Sequence, residues 1–270
     1  METLLNFLNL KMKTPVAYTS FETSWFHYLS LLLMIIGILI FTKLFKRTSS
    51  TTLKQILLVV GLLMIVLEIY KQIIYTYEAK DYQWYAFPFQ FCSTPMYLYV
   101  LYGLTKNQKL ETHLLAFLST YGTFAGLAVM FYPSTVFIDT IGINIQTMVH
   151  HGFMAIIGVS LLLSKPLFSL RTMVNALKVF LMLVVIAISL NLLFNQFVHD
   201  GAFNMFFINP NFDNQLPILS LLDPYLPHPI FVLVYIIGFS FVSYLTLLLV
   251  SFILNIFKTI TDTFIEKQSK

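Results

Sequence analysis

Seven apolar runs, each long enough to cross a bilayer, constrain this chain more than any other feature. They lie at about 25–45, 54–74, 84–104, 113–131, 141–163, 173–197 and 229–257. A hydrocarbon core about 30 Å thick is crossed by roughly 20 residues of helix. Lipid offers backbone N–H and C=O groups no partner, so a spanning segment is a helix or part of a closed barrel. These runs are too long and too continuous for barrel strands. The predicted fold class is therefore all-α. Residues 1–270 form one polytopic membrane domain, a bundle of about seven transmembrane helices. Composition agrees, with 58% hydrophobic and 10% charged residues, against about 25% charged in soluble domains. The net charge of +4 is spread over loops rather than gathered in a strip, so nucleic acid is not an expected partner. The first 20 residues contain neither an uninterrupted apolar core nor a small-residue cleavage site, so no cleavable signal peptide is expected. Residues 4–10 have the apolar content of an interfacial segment, and equally of a frayed tail.

The basic residues set an expected orientation. Lys43, Lys46, Arg47, Lys54, Lys106, Lys109, Lys165, Arg171, Lys178, Lys258, Lys267 and Lys270 fall on one side, and Lys11, Lys13, Lys71 and Lys80 on the other. The richer side is cytoplasmic by the positive-inside rule, which places the N-terminus outside and the C-terminus inside. Glu78, Asp81, Asp139, Asp200, Asp213 and Asp223 all lean to the outer side. The outer loop from about 198 to 228 carries Pro210, Pro217, Pro224 and Pro227 together with apolar pairs. It reads either as a lid over the outer mouth of the bundle or as a passive structured loop.

The lone cysteine, Cys92, sits in the third run between Pro88 and Pro95. His150 and His151 sit in the fifth run. At about 1.5 Å per residue, the thiol lies roughly 12 Å below the outer surface and the imidazoles roughly 13 to 15 Å below it. Gln90 and Thr94 flank the thiol, and Ser93 is the next residue along. Asn191, Asn195 and Gln196 occupy the outer half of the sixth run, and Glu68 the outer part of the second. Polar groups at membrane depth are costly and usually face the bundle interior. A thiol is a poor nucleophile until a neighbouring base takes its proton. An imidazole at matching depth supplies that base, and Gln90, Ser93 or Asn195 could hold an oxyanion. Each group also has a plain structural use. Buried cysteines are mostly inert packing residues, Asn and Gln join membrane helices, and Glu68 can pair with Lys71 three residues on. No Cys/His spacing fits a metal site, and no glycine-rich phosphate loop suggests a cofactor. Proline in a helix removes a donor and clashes with the preceding turn. The third helix is thus expected to kink near Pro88 and Pro95, freeing the carbonyls of Trp84 and Phe91.

Several stretches resemble the bacterial YwaF-type family of integral membrane proteins, related to the eukaryotic transmembrane protein 164. They are Phe87-Pro-Phe-Gln-Phe-Cys92-Ser93, Tyr121-Gly-Thr-Phe-Ala-Gly126 with Pro133, Ile145-Gln146 with His151-Gly152, Asn204-Met205-Phe206 with Pro210, and Leu221 to Pro229. They cover the third to seventh runs in order. The eukaryotic relative moves fatty acyl chains between phospholipids through a cysteine. The resemblance therefore implies a membrane-embedded lipid acyltransferase or acyl hydrolase. In it Cys92 carries the acyl group, His151 acts as base, His150 is a second candidate base, and Asn204 joins the substrate-binding set. It also implies a multi-pass protein of a bacterial cell membrane, with membrane lipids as partners. Many members have histidine where this chain has Gln90. Two further readings stay open: a non-enzymatic lipid or small-molecule binder or permease, and an assembly partner for another membrane protein.

Overall fold

The computed structural model describes residues 2–165, 167–198 and 201–268, excepting the side chains of 255 and 257–268. Asp200 and Lys270 from the charge count lie outside the described residues, as do the side chains of Lys258 and Lys267. The fold is all-helical, with no β-strand among the described residues. A short helix α1 (Glu2–Leu8) precedes the long α2 (Phe21–Arg47) and α3 (Ser50–Ala79). Then come α4 (Thr94–Leu104), α5 (Gln108–Ser119), α6 (Tyr121–Phe131), α7 (Ile141–Ser164) and α8 (Leu170–Phe194). A single turn, α9 (Leu219–Leu222), leads to α10 (His228–Gln268). Among the described residues, six stretches are long and apolar enough to cross a membrane, α5 and α6 together making one of them. The third apolar run, 84–104, is not among them; it holds the short α4 and the irregular chain before it.

Local chemistry explains where the helices begin. Ser20 caps α2 in a reciprocal capping box with Thr23. Ser49, Asn107 and Ser169 cap α3, α5 and α8 by accepting first-turn amide hydrogens. Each satisfies a donor that the helix itself leaves orphaned. The helix-to-helix joint at Thr120 has φ −118° and ψ −80°, which bends the fourth crossing without ending it.

Helices in lipid gain little from hydrophobic association, so close packing depends on small residues. A β-carbon on Gly126 of α6 would lie 2.5 Å from the Ala155 amide nitrogen and 2.8 Å from the His151 carbonyl. On Gly103 of α4 it would lie 2.6 Å from Leu58 Cβ of α3. These glycines bring α6 onto α7 and α4 onto α3. The faces pointing away, such as Leu29, Leu32, Leu33 and Leu39 of α2, are apolar and exposed, as a lipid-facing surface requires.

Two ion-pair clusters mark opposite ends of the bundle. Lys11 joins Glu78 at the end of α3 and Asp139 and Thr140 at the start of α7. Burial pulls the Lys11 ammonium down, but the two carboxylates together outweigh it and leave its pKa raised. Beside it, Met12 N–H donates to Asp139 and Ile141 N–H to Leu10. At the other end Lys54 of α3 meets Glu111 of α5 and the Thr105 carbonyl after α4.

Candidate functional site

The third apolar run is half a helix. A helix with two kinks was expected across 84–104. Instead a 3-10 turn at Trp84–Ala86 gives way to extended and turn backbone, and α4 begins only at Thr94. The cause lies in the two prolines. Pro88 drives Phe87 out of the α region, to ψ 135°. Pro95 lies in the first turn of α4, where its missing N–H costs nothing. The carbonyls expected to be freed are in fact used. Trp84 accepts from the Phe87 amide at 3.1 Å, and Phe91 from the Thr94 hydroxyl at 2.9 Å. Cys92 therefore sits on a tight loop inside the bundle, two residues ahead of a helix N-terminus, and is partly exposed.

The loop is held from three directions. His150 Nε2 donates to the Cys92 carbonyl at 3.0 Å. Gln72 Nε2 of α3 donates to the Ala86 carbonyl at 2.7 Å and to Glu68 Oε1 at 2.8 Å. Toward the loop after α8, the Gln90 amide donates to the Asn204 carbonyl and accepts from the Phe206 amide, both at 2.9 Å. Tyr97 of α4 also reaches back to Pro88 O at 2.9 Å.

The imidazoles are arranged unequally. A carbonyl only accepts, so His150 carries its proton on Nε2, leaving Nδ1 as the bare nitrogen in the neutral ring. That nitrogen is buried and meets no protein partner. His151 donates from Nδ1 to the Thr147 carbonyl at 2.8 Å, so its lone pair lies on Nε2. The two rings are 5.4 Å apart between centroids. Glu68 is 3% exposed. One of its carboxylate oxygens pairs with Lys71 at 2.7 Å and the other has no partner.

The structure brings only some of the candidate residues together. Cys92, His150 and His151 share one region, with buried Ser93 beside the thiol. Gln90 is next to them, but its amide is committed to the loop at 203–206. Asn191 spends both amide atoms on the backbone of Met205, at 2.8 and 3.1 Å. Asn195 pairs with Asn209, and Asn204 Oδ1 accepts from the Asn209 amide at 2.9 Å. Gln196 is exposed beyond α8. Sequence reasoning overlooked Gln72 and Asn209, whose roles depend on which loop folds against them. It also overlooked Tyr235 of α10, whose hydroxyl is buried and has no partner. In the loop after α8, Phe203, Met205, Phe206 and Ile208 are buried within the bundle. Phe206 and Phe207 both adopt left-handed backbone, φ 60° and 56°, which is costly for residues of that size. Among the described residues no three His, Cys, Asp or Glu side chains gather as a metal set.

A family model, the TMEM164 family, matches residues 19–251. The chain belongs to the TMEM164 family. The match spans α2 through most of α10, so it takes in the whole bundle that builds this site. Searches of curated proteins and of solved structures found no match to the chain. As a TMEM164-family member it is a multi-pass membrane protein, and its apolar helices are consistent with association with membrane lipids.

Proposed function

We propose that this protein is a membrane-embedded lipid acyltransferase, with an acyl hydrolase as its limiting case when water is the acceptor. Cys92 is the nucleophile, His151 the base and His150 the residue that positions them. The observation that carries this reading is the His150–Cys92 hydrogen bond, which ties the cysteine loop to a helix bearing two adjacent imidazoles. His150 spends its N–H on holding the loop. His151 keeps its Nε2 lone pair uncommitted, as a base requires.

The chemistry follows from these roles. His151 Nε2 takes the thiol proton, and the thiolate attacks the ester carbonyl carbon of a phospholipid. A C–S bond forms, and the carbonyl electron pair moves onto oxygen. Collapse breaks the ester C–O bond, and the lysolipid alkoxide takes the proton from His151. The acyl thioester on Cys92 is then attacked by an acceptor hydroxyl in the reverse sequence. The positive end of α4, two residues beyond the thiol, favours the anion.

The test uses purified wild type and Cys92→Ala with a fluorescent phospholipid. Neutral hydroxylamine should release label from the wild type alone, and transfer to a lysolipid should require Cys92. Equal transfer by Cys92→Ala would sink the reading. A second reading, a lipid carrier, has one observation in its favour. An apolar groove of about 400 Å³ opens between α2, α6 and α7, lined by residues including Trp25, Leu33, Met148 and Phe153. Binding of labelled lipid that is unchanged in Cys92→Ala, with no transfer by either protein, would favour it.

A further inference from the structure

We propose that the Tyr235 hydroxyl is the hydrogen-bond donor that stabilises the oxyanion formed when Cys92 attacks a lipid ester. The proposal rests on the acyl-transfer reading and adds a catalytic residue that neither the sequence motifs nor the family match identifies.

An acyl transfer of this kind needs a donor aimed at the developing negative oxygen. Most donors near Cys92 are already spent. The amides of Ser93 and Thr94 both point to the Gln90 carbonyl, at 2.8 and 3.2 Å. Gln90 is bound to Asn204 and Phe206, and Asn191 and Asn195 are bound to the outer loop. Pro95 has no N–H to give. Tyr235 is different. It is 0% exposed, yet its hydroxyl has no hydrogen-bond partner. A buried phenol normally finds one, since an unmade bond costs about 1–3 kcal/mol. An orphan donor held in a dry site is therefore either a defect or a group waiting for a ligand.

Its position favours the second. The Tyr235 ring stacks on Phe239 at 4.3 Å between centroids, and Phe239 packs edge-on against Phe91 at 4.9 Å. Phe91 immediately precedes Cys92. Phe180 meets Phe91, Phe239 and Tyr235, so the aromatic frame fixes the phenol relative to the cysteine loop. In the transition state the phenol O–H donates to the carbonyl oxygen as the C–S bond forms. The proton stays on tyrosine, and the bond weakens again when the carbonyl is restored.

The test is Tyr235→Phe, which removes one oxygen and keeps the ring. Transfer from a fluorescent phospholipid to a lysolipid should fall by roughly 10²-fold or more, as for loss of one oxyanion donor. Stability should stay level or rise, because an unsatisfied buried group is lost. The thioester carbonyl stretch on Cys92 should lie at lower frequency in the wild type than in Tyr235→Phe. Wild-type transfer by Tyr235→Phe, or an unchanged carbonyl stretch, overturns the donor role. A marked loss of stability would instead assign the hydroxyl to the fold and also overturns it. Cys92→Ala separates the two claims. An inert Cys92→Ala beside a fully active Tyr235→Phe removes the donor alone, whereas an active Cys92→Ala removes the acyl-enzyme reading beneath it.

Discussion

Replacing Gln90 with alanine should loosen the cysteine loop from its cover. The side chain makes two bonds of 2.9 Å, one to the Asn204 carbonyl and one from the Phe206 amide. Both partners lie in buried residues, so truncation leaves a donor and an acceptor without partners in a dry site. Each unsatisfied group costs about 1–3 kcal/mol, which puts the loss at roughly 2–5 kcal/mol after some relaxation. Phe206 adds to the effect. Its left-handed backbone costs about 1–2 kcal/mol, and the bond to Gln90 is one of the contacts that hold it there. The assay is equilibrium unfolding in mixed micelles, with thiol labelling of Cys92 as a local reporter. Labelling should speed up in Gln90→Ala before the bundle unfolds. Gln90→Glu keeps the acceptor for Phe206 and loses the donor to Asn204, so it should fall between. A loss below about 0.5 kcal/mol, with unchanged labelling, would refute the clamp.

Gly126→Leu should prevent α6 from reaching α7 and abolish folded protein, whereas Gly122→Ala, with its nearest obstruction 3.7 Å away, should be close to neutral when recovery after size exclusion is compared. His151→Ala should lower acyl transfer about 10²-fold or more; His150→Ala should lower it less and chiefly raise thiol accessibility, read by maleimide labelling. A reporter fused after Lys270 should be cytoplasmic and one placed before Phe21 external, by the distribution of basic residues. Lys11 has a raised pKa in the folded protein, so its contribution is fully present below the unfolded lysine value of about 10.4 and fades as pH rises through the folded one. The stability gap between wild type and Lys11→Met should therefore persist at pH 7 to 9 and close at strongly alkaline pH.

The helices were legible because lipid leaves them little alternative. An apolar run such as 141–163 can satisfy its backbone only as a helix, and α7 spans Ile141–Ser164. The run at 84–104 was misjudged for a related reason. Backbone inside a bundle can leave the helix when other protein groups satisfy it, and Gln72 and His150 do so here. No periodicity in that run announces partners that lie on two other helices. The depth arithmetic assumed a helix through Cys92 where none exists, and the contact that does form joins His150 to the Cys92 backbone carbonyl. The asparagines at 191, 195 and 204 were legible as polar groups facing inward. Their partners were not, since Met205 and Asn209 come into reach only when the outer loop folds between helices. Tyr235 gave no signal at all, because a tyrosine among aliphatic residues reads as packing until its hydroxyl is seen to lack a partner.

Intact-protein mass spectrometry after incubation with a phospholipid of defined acyl chains tests the central claim most directly. The account predicts a wild-type adduct of one acyl mass that maps to the Cys92 peptide and disappears with neutral hydroxylamine. It predicts no adduct in Cys92→Ala and a slower, still Cys92-borne adduct in His151→Ala. An acyl adduct of equal yield in Cys92→Ala, or one carried by another residue, would contradict it.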